Sequence, residues 1–383
     1  MIKGLKNVNI LTPQGIIKGD IHIKAEKINE ITVNSTFEGL EFSEAVLVVP
    51  GFIDQHIHGA NASDTMDGTK EALINISRTL PKEGTTSFLP TTMTQSEPAI
   101  KKALASVKAF KESKDSDGAE VLGVHLEGPF ININASGAQP REYIVNPTIE
   151  QFETYQKGSG NLIKLVTVAP EVEGGLALIE YCKKHNIIAS IGHTKAKYQD
   201  VLTAINKGAS SVTHCYNAMS GLHHRDLGVV GAAFLHNELN AEIIVDGIHV
   251  HEKAVSLLYK NKSAENITLV TDSLRAKWLN DGEYDLGGQM VTVKNNEARL
   301  KDGTLAGSTL KMIDAVKNSM KFLNIGIEEA VRMAATNPAI NLGVYDRKGS
   351  IEVGKDADLV VLNKDYDIIM TITRGKIGYQ KGV

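Results

Sequence analysis

Five short apolar, β-prone runs end in side chains able to bind a metal or move a proton. His56 and His58 close the run Gly51-Phe-Ile-Asp-Gln-His-Ile-His58, and Glu127 follows His125 and Leu126 just before Gly128 and Pro129. His193 stands in Ser-Ile-Gly-His-Thr, His214 in Val-Thr-His-Cys-Tyr-Asn, and Asp272 ends one more apolar run. At period two the rings of His56 and His58 share one face of a strand. In a barrel that face is the interior, where two imidazoles could hold zinc or a similar divalent ion; a polar loop entrance explains an isolated His-x-His equally well. Glu127, His193 and His214 form a two-histidine, one-carboxylate set with positions left open for water, the pattern of a catalytic rather than a structural site. A divalent ion lowers the pKa of a water toward about 7 and polarises a carbonyl oxygen. Asp272 then has a role as the group that accepts the water's proton and later hands it to a leaving amine. Each residue alone could be a turn-forming strand end. Their recurrence at the ends of several strands points instead to a metal-dependent hydrolase.

A second constellation follows His214. The stretch Asn217-Ala-Met-Ser-Gly-Leu-His223-His224-Arg225-Asp226 puts a guanidinium among histidines, which suits an anionic handle on the substrate, most simply a phosphate, although a solvated loop reads as well. His249, in Val-Asp-Gly-Ile-His, is a further donor able to polarise a carbonyl. His22, His185, His236 and His251 have no comparable context and read as surface or packing residues.

The elements that must position these residues are short strands alternating with amphipathic helices. Apolar runs recur at residues 52–58, 85–89, 121–127, 162–169, 187–193, 211–214, 242–246 and 267–272, with helical periodicity over 70–80, 97–111, 176–184, 200–207 and 253–259. Runs apolar on both faces imply parallel pairing. Eight such units fit an α/β fold of the (β/α)₈ TIM-barrel type. An open doubly wound sheet has the same periodicity, but the clustering of polar residues at many C-terminal strand ends favours the barrel. Residues 18–24, 27–33, 358–362 and 368–373 alternate at period two or read as apolar strands, so both termini are expected to build one second, small β-sandwich domain. The expected division is 1–50 and 345–383 for that domain and 51–344 for the catalytic barrel. Residues 282–305 are β-rich and Gly-punctuated, as for a hairpin over the site.

Composition bounds the function. The 383-residue chain is 42% hydrophobic and 22% charged, which is a globular balance, and its net charge of −4 supplies no general field for nucleic acid or an anionic membrane. No run approaches about 18 consecutive apolar residues, and the first ten residues lack a signal-peptide core. Two cysteines, Cys182 and Cys215, are too few for a disulfide framework. A cytoplasmic protein with a small-molecule substrate, and neither nucleic acid nor membrane as partner, is expected.

Pro50-Gly-Phe-Ile-Asp-x-His-Ile-His-Gly59, His125-Leu-Glu-Gly-Pro-Phe130, Ile191-Gly-His-Thr194, Thr213-His-x-x-Asn-Ala-Met219, His223-His-Arg225, Asp246-Gly-Ile-His249 and Thr271-Asp272 together resemble the N-acetylglucosamine-6-phosphate deacetylases of the amidohydrolase superfamily. The resemblance spans nearly the whole chain, and residues 349–360 are similar to the second half of that superfamily's split β-sandwich. It implies hydrolysis of the acetamide of N-acetyl-D-glucosamine 6-phosphate to D-glucosamine 6-phosphate and acetate, in amino-sugar catabolism and cell-wall sugar recycling. By position it implies that Glu127, His193 and His214 bind the primary metal and that Asp272 carries the proton. Asn217, Ala218, Arg225, His249, Ala138 and the turn Leu305-Ala306-Gly307 would contact the sugar phosphate, Arg225 from across a homodimer interface. His56 and His58 match members that hold a second metal. The ion would be Zn²⁺, with Fe²⁺ or another divalent ion as alternatives, one or two per subunit. Gln139 stands where the family often has His, and Ser273-Leu274 replaces the commoner Ala-Met. A cyclic-amide hydrolase of the same superfamily would use a carboxylated lysine near the end of the fourth strand, where this chain has only Lys164 at the beginning. A non-catalytic scaffold need not keep the ligands and Asp272 together.

Overall fold

The computed structural model describes residues 1–33, 35–113 and 117–382. Each of the eight expected runs forms a strand, and the strands pair in parallel. They are Phe52–Ile57, Thr85–Pro90, Val124–Glu127, Ile163–Val168, Ile188–Ile191, Ser211–Val212, Asn240–Ile243 and Ile267–Leu269. The first pairs with the second, and the third through eighth pair in sequence order. Backbone bonds close the circle: Thr92 N–H reaches His125 O at 3.0 Å, and Asp272 N–H reaches His56 O at 2.8 Å. Burial along the whole of Phe52–Ile57 and Thr85–Pro90 is what parallel strands covered by helices require.

The outer helices bury one stripe each. Glu97–Ser113 turns Ile100, Ala103, Leu104, Val107 and Phe110 toward the strands, at the three- and four-residue spacing of a helical face. Thr69 and Thr148 start Lys70–Thr79 and Ile149–Gly158 by accepting backbone N–H bonds from Ala72 and Gln151, each at 3.2 Å.

Both termini join one seven-stranded sheet among the described residues. Leu47–Pro50 pairs in parallel with Gly4–Thr12 and antiparallel with Leu359–Leu362, which places the two chain ends side by side. Alternation divides these strands between two cores: Val48, Leu359 and Val361 pack with Leu5, Ile10 and Ile21, while Val49, Val360 and Leu362 face the barrel's cluster.

Three expectations on strand extent need correction. The third run is split, because Glu120–Val121 pairs with the second strand and Val124–Glu127 with the fourth. The fifth, sixth and eighth strands stop two or three residues before His193, His214 and Asp272. Those residues have positive φ (46°, 31° and 47°), which no extended ladder accommodates. Residues 282–305 form more than a hairpin: Gly282–Leu286, Gln289–Lys294, Glu297–Leu300 and Leu305–Ser308 make an antiparallel four-stranded sheet. Gly287-Gly288 and Asn295-Asn296, all at positive φ, make its first two turns, as two-residue hairpin loops demand.

Candidate metal-hydrolase active site

Where the strands end, the backbone turns the chemistry inward. Non-glycine residues at positive φ cost on the order of 1–3 kcal/mol each, so their placement at His193, His214 and Asp272 is strain held by the surrounding fold. The result is a cluster drawn from strands far apart in sequence. Glu127 Oε1 lies 3.2 Å from His193 Nε2 and 3.1 Å from His214 Nε2, and these two nitrogens are 3.2 Å apart. Ligand atoms about 2.0–2.1 Å from a tetrahedral ion would stand about 3.3 Å from one another, so the trio matches a divalent metal's donor set. His193 Nδ1–H donates to Ala135 O at 2.9 Å, which leaves the Nε2 lone pair for the metal.

The first strand supplies a second trio. His58 Nε2 lies 3.1 Å from Glu127 Oε2 and 3.2 Å from Asp272 Oδ1. His56 Nε2 is fully buried with no hydrogen-bond partner, yet it stands 3.5 Å from Glu127 Oε1 and 3.4 Å from Asp272 Oδ1. Atoms of His56, His58 and Asp272 can all approach within 4.8 Å, as can those of Glu127, His193 and His214. Glu127 therefore faces both trios, with Oε1 near His193, His214 and His56 and Oε2 near His58.

Electrostatics agree with that donor set. Burial lowers the His58 ring pKa, but hydrogen bonds and charge from Asp272 and Glu127 outweigh it and raise it to about 10. Burial pushes the Glu127 carboxyl up, while His56, His193 and His214 hold it well below the usual carboxylate range. Burial also pushes the Asp272 carboxyl up, but the charges and hydrogen bond of His56 and His58 outweigh it and hold the carboxyl below its ordinary value. Two buried carboxylates among these imidazoles call for positive charge, which a divalent ion would supply.

Several supporting contacts were not legible in the sequence. Glu242, on the seventh strand, takes His56 Nδ1–H at 3.1 Å and Gln55 Nε2–H at 2.7 Å. Adjacent Gln55 and His56 both reach it because the first strand's register shifts between Asp54 and Ile57. Gln139 donates from Nε2 to Glu127 Oε2 at 3.0 Å and accepts Thr94 N–H at 2.7 Å, so it orients the Glu127 carboxylate. His125 is buried against Thr167 Oγ1 at 2.8 Å. The signal for Glu242 was present: a carboxylate inside an apolar strand.

Above the cluster opens a cavity of about 380 Å³ whose lining includes His58, Glu127, His193, His214 and Asp272, together with Ala138, Asn217, Ala218, His249, Leu305 and Gly307. Asn217 Nδ2 donates to His214 O at 3.2 Å, and His249 Nδ1–H donates to Asp246 Oδ2 at 2.6 Å. Burial lowers the His249 pKa and Asp246 more than reverses this, raising it. Two residues expected at the substrate are not part of the cavity's lining. Ala306 is fully buried in the small sheet's core behind the wall, because alternation along Leu305–Ser308 turns it away from its neighbours. Arg225 sits on an exposed loop outside its own chain's cavity, with Nη1 2.7 Å from His224 Nε2.

The remaining histidines have structural roles: His22 stacks on Phe37, His185 on Tyr181, His236 meets the Tyr198 hydroxyl at 3.0 Å, and His251 caps Glu252–Lys262. Lys164 is exposed on the fourth strand, so it offers no carboxylated bridge in the interior.

The amidohydrolase family profile matches residues 47–378. The N-acetylglucosamine-6-phosphate deacetylase of Bacillus subtilis (strain 168) is 44% identical over 98% of this chain and 96% of its own length. The crystal structure of N-acetylglucosamine-6-phosphate deacetylase from Thermotoga maritima is 35% identical, covers 98% of this chain and 99% of its own, and superimposes with a TM-score of 0.89. A mutant of the Mycobacterium smegmatis enzyme in complex with N-acetyl-D-glucosamine-6-phosphate is 26% identical, with 99% and 100% coverage and a TM-score of 0.93. The profile match over most of the chain and the likeness to these relatives over its whole length lead to one conclusion: the chain belongs to the amidohydrolase family, in the branch of the N-acetylglucosamine-6-phosphate deacetylases.

Proposed function

We propose that this protein hydrolyses the acetamide of N-acetyl-D-glucosamine 6-phosphate, releasing acetate and D-glucosamine 6-phosphate, in amino-sugar catabolism and cell-wall sugar recycling. The observation that carries the reading is the convergence of Glu127, His193 and His214 on the cavity floor with Asp272 beside them. A divalent ion held there would polarise the amide carbonyl and make a water acidic enough to attack it. Zn²⁺ fits the two-nitrogen, one-oxygen donor set, and Fe²⁺ would use the same atoms. His56 and His58 are proposed to hold a second ion with Asp272 and Glu127.

Asp272 accepts the proton of the attacking water and delivers it to the departing amine, one carboxylate acting as base and then as acid. His249, fixed by Asp246, presents its other ring nitrogen to the substrate's carbonyl or sugar oxygens. Asn217, Ala218, Ala138, Leu305 and Gly307 shape the wall that orients the sugar, and Ala306 supports that wall from behind.

The exposed position of Arg225 supports a homodimer in which each Arg225 reaches the partner's substrate phosphate. The shared terminal sheet and the ring of parallel strands support domain limits of 1–50 with 345–383, and 51–344. Among the described residues no helix is long and apolar enough to cross a membrane, and Cys182 and Cys215 are free and buried, which supports a reducing, cytoplasmic setting. Acetate release from N-acetylglucosamine 6-phosphate and from N-acetylglucosamine, measured with metal content, tests the reading. Turnover of the phosphorylated sugar should be strongly preferred and should vanish on chelation; equal turnover of both would refute it.

A further inference from the structure

We infer that Lys195 is a second cation for the substrate's phosphate, supplied by the same chain that supplies the metal ligands. The inference deepens the functional reading above and rests on it. A phosphate monoester carries a charge of about −1.5 to −2 near neutral pH. Arg225 stands outside its own chain's cavity. Among the described residues that line the cavity, Lys195 is the only lysine or arginine.

Its place in the chain explains how it gets there. His193 is buried at the metal cluster, and two residues later Lys195 is exposed, so the loop climbs from the floor to the rim. The loop is pinned on both sides of Lys195. The carboxylate of Glu171 accepts Lys195 N–H at 2.6 Å, the Thr194 hydroxyl at 2.5 Å and Asn132 Nδ2–H at 2.8 Å. Thr194 N–H donates to Ala218 O at 3.0 Å, and Ser220 Oγ donates to Ala196 O at 2.5 Å.

The ammonium itself is left without an ion pair or hydrogen bond among the described residues. Glu171, the carboxylate nearest in this network, is already committed to three donors, and Glu127 and Asp272 belong to the metal cluster. A fixed backbone with a free cation at a cavity rim suits an anion that arrives with the ligand. Lysine acts there as a point charge on a flexible stem, whereas Arg225 offers a planar fork. The two cations therefore have separable roles: Lys195 neutralises from within the subunit, and Arg225 fixes orientation from the neighbouring one.

The test compares wild type, Lys195→Met and Lys195→Arg as metal-loaded enzymes on N-acetylglucosamine 6-phosphate and on N-acetylglucosamine. Lys195→Met should lower kcat/KM for the phosphorylated sugar by roughly 10- to 100-fold, the span of one lost charged hydrogen bond, with most of the change in KM. Lys195→Arg should recover most of that loss. The neutral sugar, metal content and thermal midpoint should stay at wild-type values. Equal losses on the two sugars, or wild-type kinetics of Lys195→Met on the phosphorylated one, would overturn the assignment of Lys195 alone. A wild-type enzyme without preference for the phosphorylated sugar would overturn the functional reading and this inference with it.

Discussion

Replacing Gln139 by Leu should weaken the primary metal site without removing any metal ligand. Gln139 is nearly fully buried and bridges two fixed groups: its amide N–H donates to Glu127 Oε2 at 3.0 Å, and its carbonyl accepts Thr94 N–H at 2.7 Å. Leucine keeps the volume and deletes both bonds. A hydrogen bond to a charged group is worth about 1.5–3 kcal/mol, and every ~1.4 kcal/mol is a tenfold change in affinity. The metal dissociation constant should therefore rise roughly 10- to 150-fold, in the range found when outer partners of metal ligands are lost. The orphaned Thr94 N–H costs about 1–3 kcal/mol in addition, and this term acts on the metal-free protein too. Competition with a chromophoric chelator measures the first effect, and the melting midpoint of the metal-free protein measures the second. Gln139→His restores a donor toward Glu127 and should recover most of the affinity. An unchanged metal dissociation constant in Gln139→Leu would refute the reasoning, because it would mean that the histidines alone orient the Glu127 carboxylate.

Other consequences of the site are equally direct. His193→Ala and His214→Ala should each lose most of the metal at the primary site and nearly all activity, read by elemental analysis and acetate release, since either change leaves two protein ligands. Asp272→Asn should keep metal at the Glu127, His193 and His214 site yet lose at least the ~100-fold in kcat typical of an acid-base group; near-normal turnover would reject its role. Arg225→Ala should reduce kcat/KM for the phosphorylated sugar by one or more factors of ten and leave the neutral sugar little affected.

Acid stability offers a check remote from the site. Burial raises the Glu120 carboxyl, but Arg347, with bonds of 2.9 and 2.8 Å, and Lys348, at 2.9 Å, bring it down from 4.5 to about 2. A folded pKa below the unfolded one gives stability that is fully present above pH 4.5 and lost as pH falls toward 2. The contribution is on the order of 3 kcal/mol. Glu120→Gln should therefore melt below wild type at pH 6, and the gap should close as pH falls from 5 to 2; a gap independent of pH would reject the assignment.

The order of strands and helices was legible in the sequence because parallel strands buried on both faces are continuous apolar runs, and the helices between them alternate at their own period. The candidate ligands stood out for a related reason. Histidine or carboxylate at the close of an apolar run is chemically expensive to bury, and recurrence at Glu127, His193, His214 and Asp272 has no simple account in packing alone. The pairing of the termini was expected because both ends are rich in strands.

Relations across the barrel belong to tertiary structure. Glu242 meets His56 across 186 positions of sequence, and Gln139 reaches back to Thr94 and Glu127, because closure of the strands brings their ends together. Sequence spacing along one strand carries no information on such contacts. It also could not tell that Ala306 turns behind the wall, that Arg225 stands outside its own cavity, or that Lys195 rises to the rim. Those outcomes depend on where a loop goes after its strand ends. Hydrophobic periodicity stops at that point, and positive φ at His193, His214 and Asp272, together with bonds such as those to Glu171, sets the path instead.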